Sequence, residues 1–401
     1  MTNHRPSGDG VLPVRRGLVE TPFGRHLRPF SLAEDWMPWA GYVSARRFET
    51  VEAEYFAIRN QATLFDISPM HKYAITGKDA LAVVNRLVTR NAAKMGNNRV
   101  GYSVWCDEDG FVIDDGTLFR FSENSFRLCS QEPQYSWLHD IAWGFDVSIE
   151  DQSEAIAGLA LQGPTSFSVL HAAGFEGVEK LKPFGIVELS PGLTISRTGF
   201  TGDLGYELWV DADKADALWE RLWPAGRNFG LRPIGYEALN MARIEAGFIA
   251  AGVDFQPIHH AQRPSRGRTP FELGLDWLVS FDKGYFNGRR ALTAARQRGP
   301  RTMLVALEIE GHKPAQDAFV YHGRKKEAGH VTSALWSPTC KRNLALAELR
   351  APYGISVTDD LWVEIYHPKE GKWEKVMAQA KIIERPFFKN DRRSATPPGR
   401  F

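Results

Sequence analysis

The last quarter of the chain constrains the fold most, because its runs alternate where a helix would show a longer period. From Arg301 the segments TMLVALEIEG, AGHVTSALWS, NLALAELR, LWVEIYH and WEKVMAQAKIIE follow one another. Most carry apolar residues at every second position, as strands with one buried face do. This pattern predicts a separate all-β, barrel-like C-terminal domain, with its boundary near residues 292–300.

The preceding region reads differently. FDISPMHKYAIT is strand-like and leads through Gly77 into KDALAVVNRLVTRN, whose apolar spacing is helical. GYSVWCDEDGFVIDDGTLFRF predicts strand, turn and strand, with Glu108, Asp109 and Gly110 as turn residues. AIAGLALQG followed by PTSFSVLHAAG, and YELWVDADKADALWERLWPAG, repeat the strand-to-helix step. Their irregular spacing excludes a solenoid and predicts an α+β region of related pieces. A length of 401 residues fits two or three domains in all.

Composition narrows the function classes. Forty-nine Lys and Arg face 48 Asp and Glu. This balance gives no general drive toward nucleic acid or an anionic membrane. Cys106, Cys129 and Cys340 are odd in number and lack CxxC spacing, which argues against disulfides and suits a reducing, cytoplasmic compartment. No secretory h-region and no run of about 20 apolar residues stands in the sequence. Residues 1–30 and 391–401, rich in Gly, Pro and Arg, are expected to be loose ends.

No GxGxxG and no GxxxxGK[ST] motif is present, which weakens a nucleotide-dependent reading. Asp114 and Asp115 end the run GFVIDDG, and neighbours on a strand face opposite sides, so at most one can enter a given pocket. A carboxylate there among Phe111, Val112, Ile113 and Leu118 would have a raised pKa, useful for proton transfer, or would simply cap a turn. In RTGFTGDLGYELWV, Gly199, Gly202 and Gly205 permit a sharp bulge or the close approach of a flat ligand. Glu207 then opens a strand and offers two acceptor oxygens to an amino-pyrimidine edge, or is a plain surface residue of a hairpin. Arg243, in GYEALNMARIEAGF, needs an anion, either Glu237 or Glu245 internally or a ligand carboxylate. His259 and His260 diverge on an extended chain, and no metal site is expected.

Taken in order, FDIS-PM, GYSVWCDEDGFVIDD, LALQGP, RTGFTGDLGYELWV, ARIEAGF, FELGLDW, FNGRRAL, AGHVTSALWSPTCKRNLALAEL and IIERPFF resemble the successive blocks of the glycine-cleavage T-protein (aminomethyltransferase) family over about residues 35–388. The resemblance implies a three-domain clover-leaf α+β fold. Two folate-binding α+β domains would span residues 31–295 and a small β-barrel 296–390, with tetrahydrofolate in a central channel. It implies Asp114 beside the folate N5 in proton transfer, with Tyr102 lining the same pocket. Glu207 would hold the pterin edge and Arg243 would lie in the cofactor site, together with Met70, Phe200, Tyr206 and Trp277. Trp105 is the candidate to stabilise a cationic substrate.

Departures from the family pattern shape the expected activity. Pro69 replaces a His, Phe200 a Tyr, Leu204 an acidic residue and Glu237 an Arg, and the stretch bearing Arg263, Arg266 and Arg268 is long and basic. The preferred expectation is a tetrahydrofolate-dependent demethylase, moving a methyl group from a small onium or methoxy compound to N5. The alternatives are aminomethyl transfer from a carrier, as in T-proteins proper, and folate binding without catalysis. A small-molecule methyl donor is the expected partner, and a homodimer is left open.

Overall fold

The computed structural model describes residues 17–395. Two sheets face each other, and a closed barrel abuts them. The first sheet has five strands in the order Arg99–Cys106, Val112–Ser122, Ser125–Ser130, His71–Thr76, Ser148–Asp151. The second has six, in the order Ile186–Ser190, Leu193–Ser196, Gly205–Asp211, Ile156–Gln162, Thr63–Asp66, Arg232–Pro233.

Each sheet has one helix-covered face. The helix Ala80–Leu87 packs Val83, Val84 and Leu87 against Tyr73, Trp105, Leu118 and Leu128 of the five-stranded sheet. The helices Ser166–Ala172 and Ala215–Gly226 cover Leu159, Leu161, Tyr206 and Leu208 of the six-stranded sheet. The remaining faces meet each other, and Val100, Phe119 and Cys129 from one pack with Ala160, Phe65 and Trp209 from the other. Because side chains alternate along a strand, a central strand in this arrangement is buried on both sides, and IAGLALQ is accordingly buried at all its positions, whereas the edge strand Ser148–Asp151 is largely exposed.

The C-terminal strands form the expected barrel, in the order Thr302–Ile309, Arg342–Arg350, Lys326–Ser337, Phe319–His322, Leu361–Lys369, Lys372–Ile383. The last strand closes onto the first, with Ala306 opposite Ile383. Val305, Leu307 and Ile309 fill the interior, whereas Leu304, Ala306, Leu344 and Leu346 on the outside bury against Phe255, Leu273 and Phe286 of the preceding region. The barrel begins at Thr302, just past the helix Arg289–Arg298.

Parts of the segments 1–30 and 391–401, expected to be loose, pack against the body of the chain. Phe23 and Leu27 are buried in the core of the six-stranded sheet. At the other end Arg392 pairs with Asp203 at 2.6 Å. Residues 1–16 and 396–401 lie outside the described residues.

Polar ties at the junction of the three units are buried. Arg243 donates to Asp254 at 2.5 Å and to Ser333 of the barrel at 2.7 Å, and Asp254 also accepts from Thr332 and Ser333, each at 2.7 Å. Glu245 accepts from Arg59 at 2.5 Å and from Tyr55 at 2.5 Å, and it bonds Ser337 of the barrel. Removing one partner of such a pair leaves a charge without compensation. Asp254→Ala is therefore expected to cost about 3–5 kcal/mol, read as a lower denaturant midpoint; an unchanged midpoint would show that the tie carries no stability.

Candidate functional site

Asp114, the carboxylate expected beside the folate, lies on the helix-covered face of its sheet. In the register of the five-stranded sheet Asp114 pairs with Trp105, and both side chains point under the helices. Asp114 is fully buried; its Oδ1 accepts from its neighbour's backbone N–H at 2.9 Å and its Oδ2 from that of Glu132 at 3.0 Å. Burial first, then the charge of Asp115, pushes its pKa well above the usual carboxylate range. Trp105, proposed to meet substrate, is 0% exposed in the same layer and donates to Gln134. Neither residue lies on the face turned toward the second sheet.

Asp115 does. It sits opposite Val104 on the face that looks toward the second sheet and the barrel, and there Tyr102 donates its hydroxyl to Asp115 Oδ2 at 2.6 Å. Burial raises the Asp115 pKa to about 6; the bond from Tyr102 opposes this and the charge of Asp254 adds to it. The Tyr102 phenol is pushed up by burial and by Asp115, so it remains a donor. Trp277 lies 6.2 Å from the Tyr102 ring and is 65% exposed. The next row across the same sheet is Tyr102, Thr117, Cys129 and Lys72.

Glu207 occupies the facing wall. It pairs with Ser196 and Ala160, which places it on the intersheet side of the six-stranded sheet. Among the described residues its one side-chain partner is Thr198, which donates at 2.8 Å. Burial raises its pKa to about 7. A carboxylate so placed has acceptor capacity to spare, which suits a ligand carrying several N–H donors. Met70 packs into the same intersheet layer.

Several residues expected at the ligand have protein partners in the structure. Tyr206 follows the alternation to the helix-covered face and is buried in that core. Arg243 is spent on Asp254, Asn240, Ser333 and the Phe248 carbonyl, so the anion it needs is internal, and it is neither Glu237 nor Glu245. Phe200 remains partly exposed and stacks on Phe248 at 5.5 Å. The space left by Gly199 and Gly205 is filled by the amide of Gln162, and that left by Gly202 by Ala246. These glycines therefore accommodate protein rather than ligand. In the basic stretch, Arg268 pairs with Glu348 of the barrel at 2.5 Å.

Sequence reasoning singled out Asp114, although the alternation rule already required a choice between the two aspartates. The signal that decides it is the cross-strand register, which aligns Asp115 with the Tyr102 side of the sheet. It gave no sign of Thr198, which lies next to Glu207. Among the described residues no group of three or more His, Cys, Asp or Glu comes together as a metal site, and no helix is long and apolar enough to cross a membrane.

The chain matches the GCVT N-terminal domain family over residues 21–283 and the glycine cleavage T-protein C-terminal barrel domain over residues 303–389. It is 32% identical over 384 residues to an aminomethyltransferase of Moorella thermoacetica, covering 94% of this chain and 99% of that one. With an aminomethyltransferase of Caldanaerobacter subterraneus subsp. tengcongensis it shares 31% over 361 residues, covering 88% and 92%. The crystal structure of glycine cleavage system aminomethyltransferase T from Bartonella henselae superposes with a TM-score of 0.81 at 26% identity, covering 93% of this chain and 98% of that one. With both domains matched in order and the same three-unit architecture, the chain belongs to the glycine-cleavage T-protein family of one-carbon transferases.

Proposed function

We propose that the protein transfers an aminomethyl-type one-carbon unit to tetrahydrofolate lying between the two sheets. The observation that carries this reading is a pair of carboxylates with raised pKa on facing walls: Glu207 with a single hydroxyl donor, and Asp115 held by Tyr102. Tetrahydrofolate supplies the nitrogen nucleophile that accepts the carbon unit. Glu207 binds the amino-pyrimidine edge and fixes its orientation. Asp115 is ionised at neutral pH and holds or removes the proton that the reacting nitrogen must lose. Tyr102 fixes the direction of that carboxylate.

Two departures that favoured a demethylase lie away from these residues. Leu204 is fully buried in the core of the six-stranded sheet, and Glu237 pairs with Arg46 near the surface. Neither weighs against aminomethyl transfer, the activity named for the relatives above. Methyl transfer from a small onium or methoxy compound is the second reading. It is favoured by the exposed aromatic face of Trp277 beside Tyr102, which suits a cationic donor.

Product analysis separates the two: 5,10-methylenetetrahydrofolate with release of ammonia supports aminomethyl transfer, and 5-methyltetrahydrofolate supports the second reading. No measurable affinity for reduced folates would end both.

Asp115→Asn is expected to lower kcat by roughly 100-fold or more while leaving folate affinity in place, whereas Asp114→Asn should retain most activity. If Asp115 acts as its carboxylate, wild-type kcat falls below a pH of about 6, where that group protonates, and the acidic limb is lost in Asp115→Asn. Equal losses in the two variants would sink the assignment. Glu207→Gln should weaken folate binding roughly 10- to 100-fold, the worth of charge-assisted bonds. Because the folded-state pKa of Glu207 is raised, its ionisation costs stability as pH rises from the ordinary carboxylate range to about 7. The same variant is therefore expected to melt no lower than wild type at pH 8.

A further inference from the structure

A short turn after the barrel comes back to the loop that serves Glu207. Beyond the last barrel strand, Lys372–Ile383, Phe387 buries at the junction of the units and Phe388 donates its N–H to the Glu245 carbonyl at 2.9 Å. Asn390 then caps the turn Asp391–Arg393, its side chain accepting from the Arg392 N–H at 3.0 Å. Such a cap satisfies a donor that the turn would otherwise leave open.

The turn lies against residues 197–204, the connection between the strands Leu193–Ser196 and Gly205–Asp211, and grips both of its ends. At one end Arg197 donates to the carbonyls of Arg393 at 3.4 Å and Ala395 at 2.5 Å. At the other, Arg392 forks onto Asp203, with Nε 2.6 Å from Oδ1 and Nη2 2.8 Å from Oδ2, and Nη2 also donates to the Arg59 carbonyl at 3.0 Å. The Asp203 carboxylate is fully buried, and a two-pronged pair of this kind fixes direction as well as distance. Between the two grips Arg393 lies over the Phe248 ring at 5.1 Å, and Phe248 stacks on Phe200 of the loop.

What the loop presents is Thr198. Its hydroxyl donates to Glu207 Oε2 at 2.8 Å and lies 2.7 Å from the Ser196 hydroxyl. A donor aimed at one carboxylate oxygen leaves the other open and holds the plane of the group. Without it the carboxylate would have to be ordered as the ligand arrives, which costs affinity.

We propose that Arg392 is a positioning residue for pterin binding, clamping Asp203 so that the loop holds Thr198 against Glu207. This rests on the reading that Glu207 binds the amino-pyrimidine edge. The clamp takes no part in the chemistry at Asp115. Its loss is tolerable to the fold, because Asp203 keeps Arg59 at 3.6 Å and the Leu204 N–H at 2.8 Å.

The test is calorimetric titration of the full chain with tetrahydrofolate and with a tetrahydropterin that lacks the p-aminobenzoyl-glutamate tail. Arg392→Ala is expected to weaken both by roughly 10-fold. Thr198→Val should weaken both to a similar degree, and the double variant should lose no more than about twofold beyond either single change. Arg392→Lys, which keeps the charge without the fork, should show a smaller loss. It closes the same cycle with Thr198→Val if Arg392→Ala folds poorly. Unchanged affinities in the Arg392 variants, or losses that simply add to that of Thr198→Val, overturn the proposal. A loss confined to tetrahydrofolate, with the tetrahydropterin unaffected, places the arginine at the folate's own carboxylates and likewise overturns it. Glu207→Gln separates the two levels: if it leaves both affinities intact, the Glu207 reading falls and the clamp with it. If it weakens both while Arg392→Ala does not, the clamp alone is refuted.

Discussion

Two buried guanidinium groups keep the three units of this chain in register. Arg243 and Arg59 each reach a carboxylate that also touches the barrel, Asp254 through Thr332 and Ser333, and Glu245 through Ser337. Apolar packing alone would hold the barrel against the sheets, since Leu304, Leu344 and Leu346 bury there, but burial is non-directional. Fully satisfied charge pairs add direction, because any slippage leaves a charge stranded. The candidate site lies where these units converge, so its geometry depends on that register.

The two facing sheets divide their carboxylates by a simple rule. Along each strand one face serves the domain's own core and the other faces the opposite sheet or the barrel. Asp114 and Tyr206 fall on the first kind of face, Asp115 and Glu207 on the second. Adjacent residues of similar chemistry thereby take opposite fates. Asp114 accepts two backbone N–H groups and is spent on structure, whereas Asp115 retains an oxygen to work with. The glycines of the 199–205 loop support the same division, since they let Gln162 bond the carbonyls of Thr198 and Tyr206 and so brace the strand that carries Glu207.

Much of the fold could be read before any coordinates. The alternation after Arg301 identified the barrel, and the switch between periods two and 3.6 located strands such as Arg99–Cys106 and helices such as Ala80–Leu87. Local pattern was legible because it reports which face of an element is buried. Arg243 was harder: a helix containing a buried arginine announces that an anion must be near, yet its partner, Asp254, lies beyond the end of that helix.

By itself the sequence determined the order of elements, the all-β character of the C-terminal unit and the presence of a carboxylate pair after the Glu108–Gly110 turn. Tertiary structure decided which of Asp114 and Asp115 faces the second sheet and the barrel, that Trp105 is core, and that Arg243 takes Asp254 as its anion. The reason is physical: alternation says that neighbours diverge, but which side is the shared side depends on what packs against the sheet, and that is set by residues hundreds of positions away.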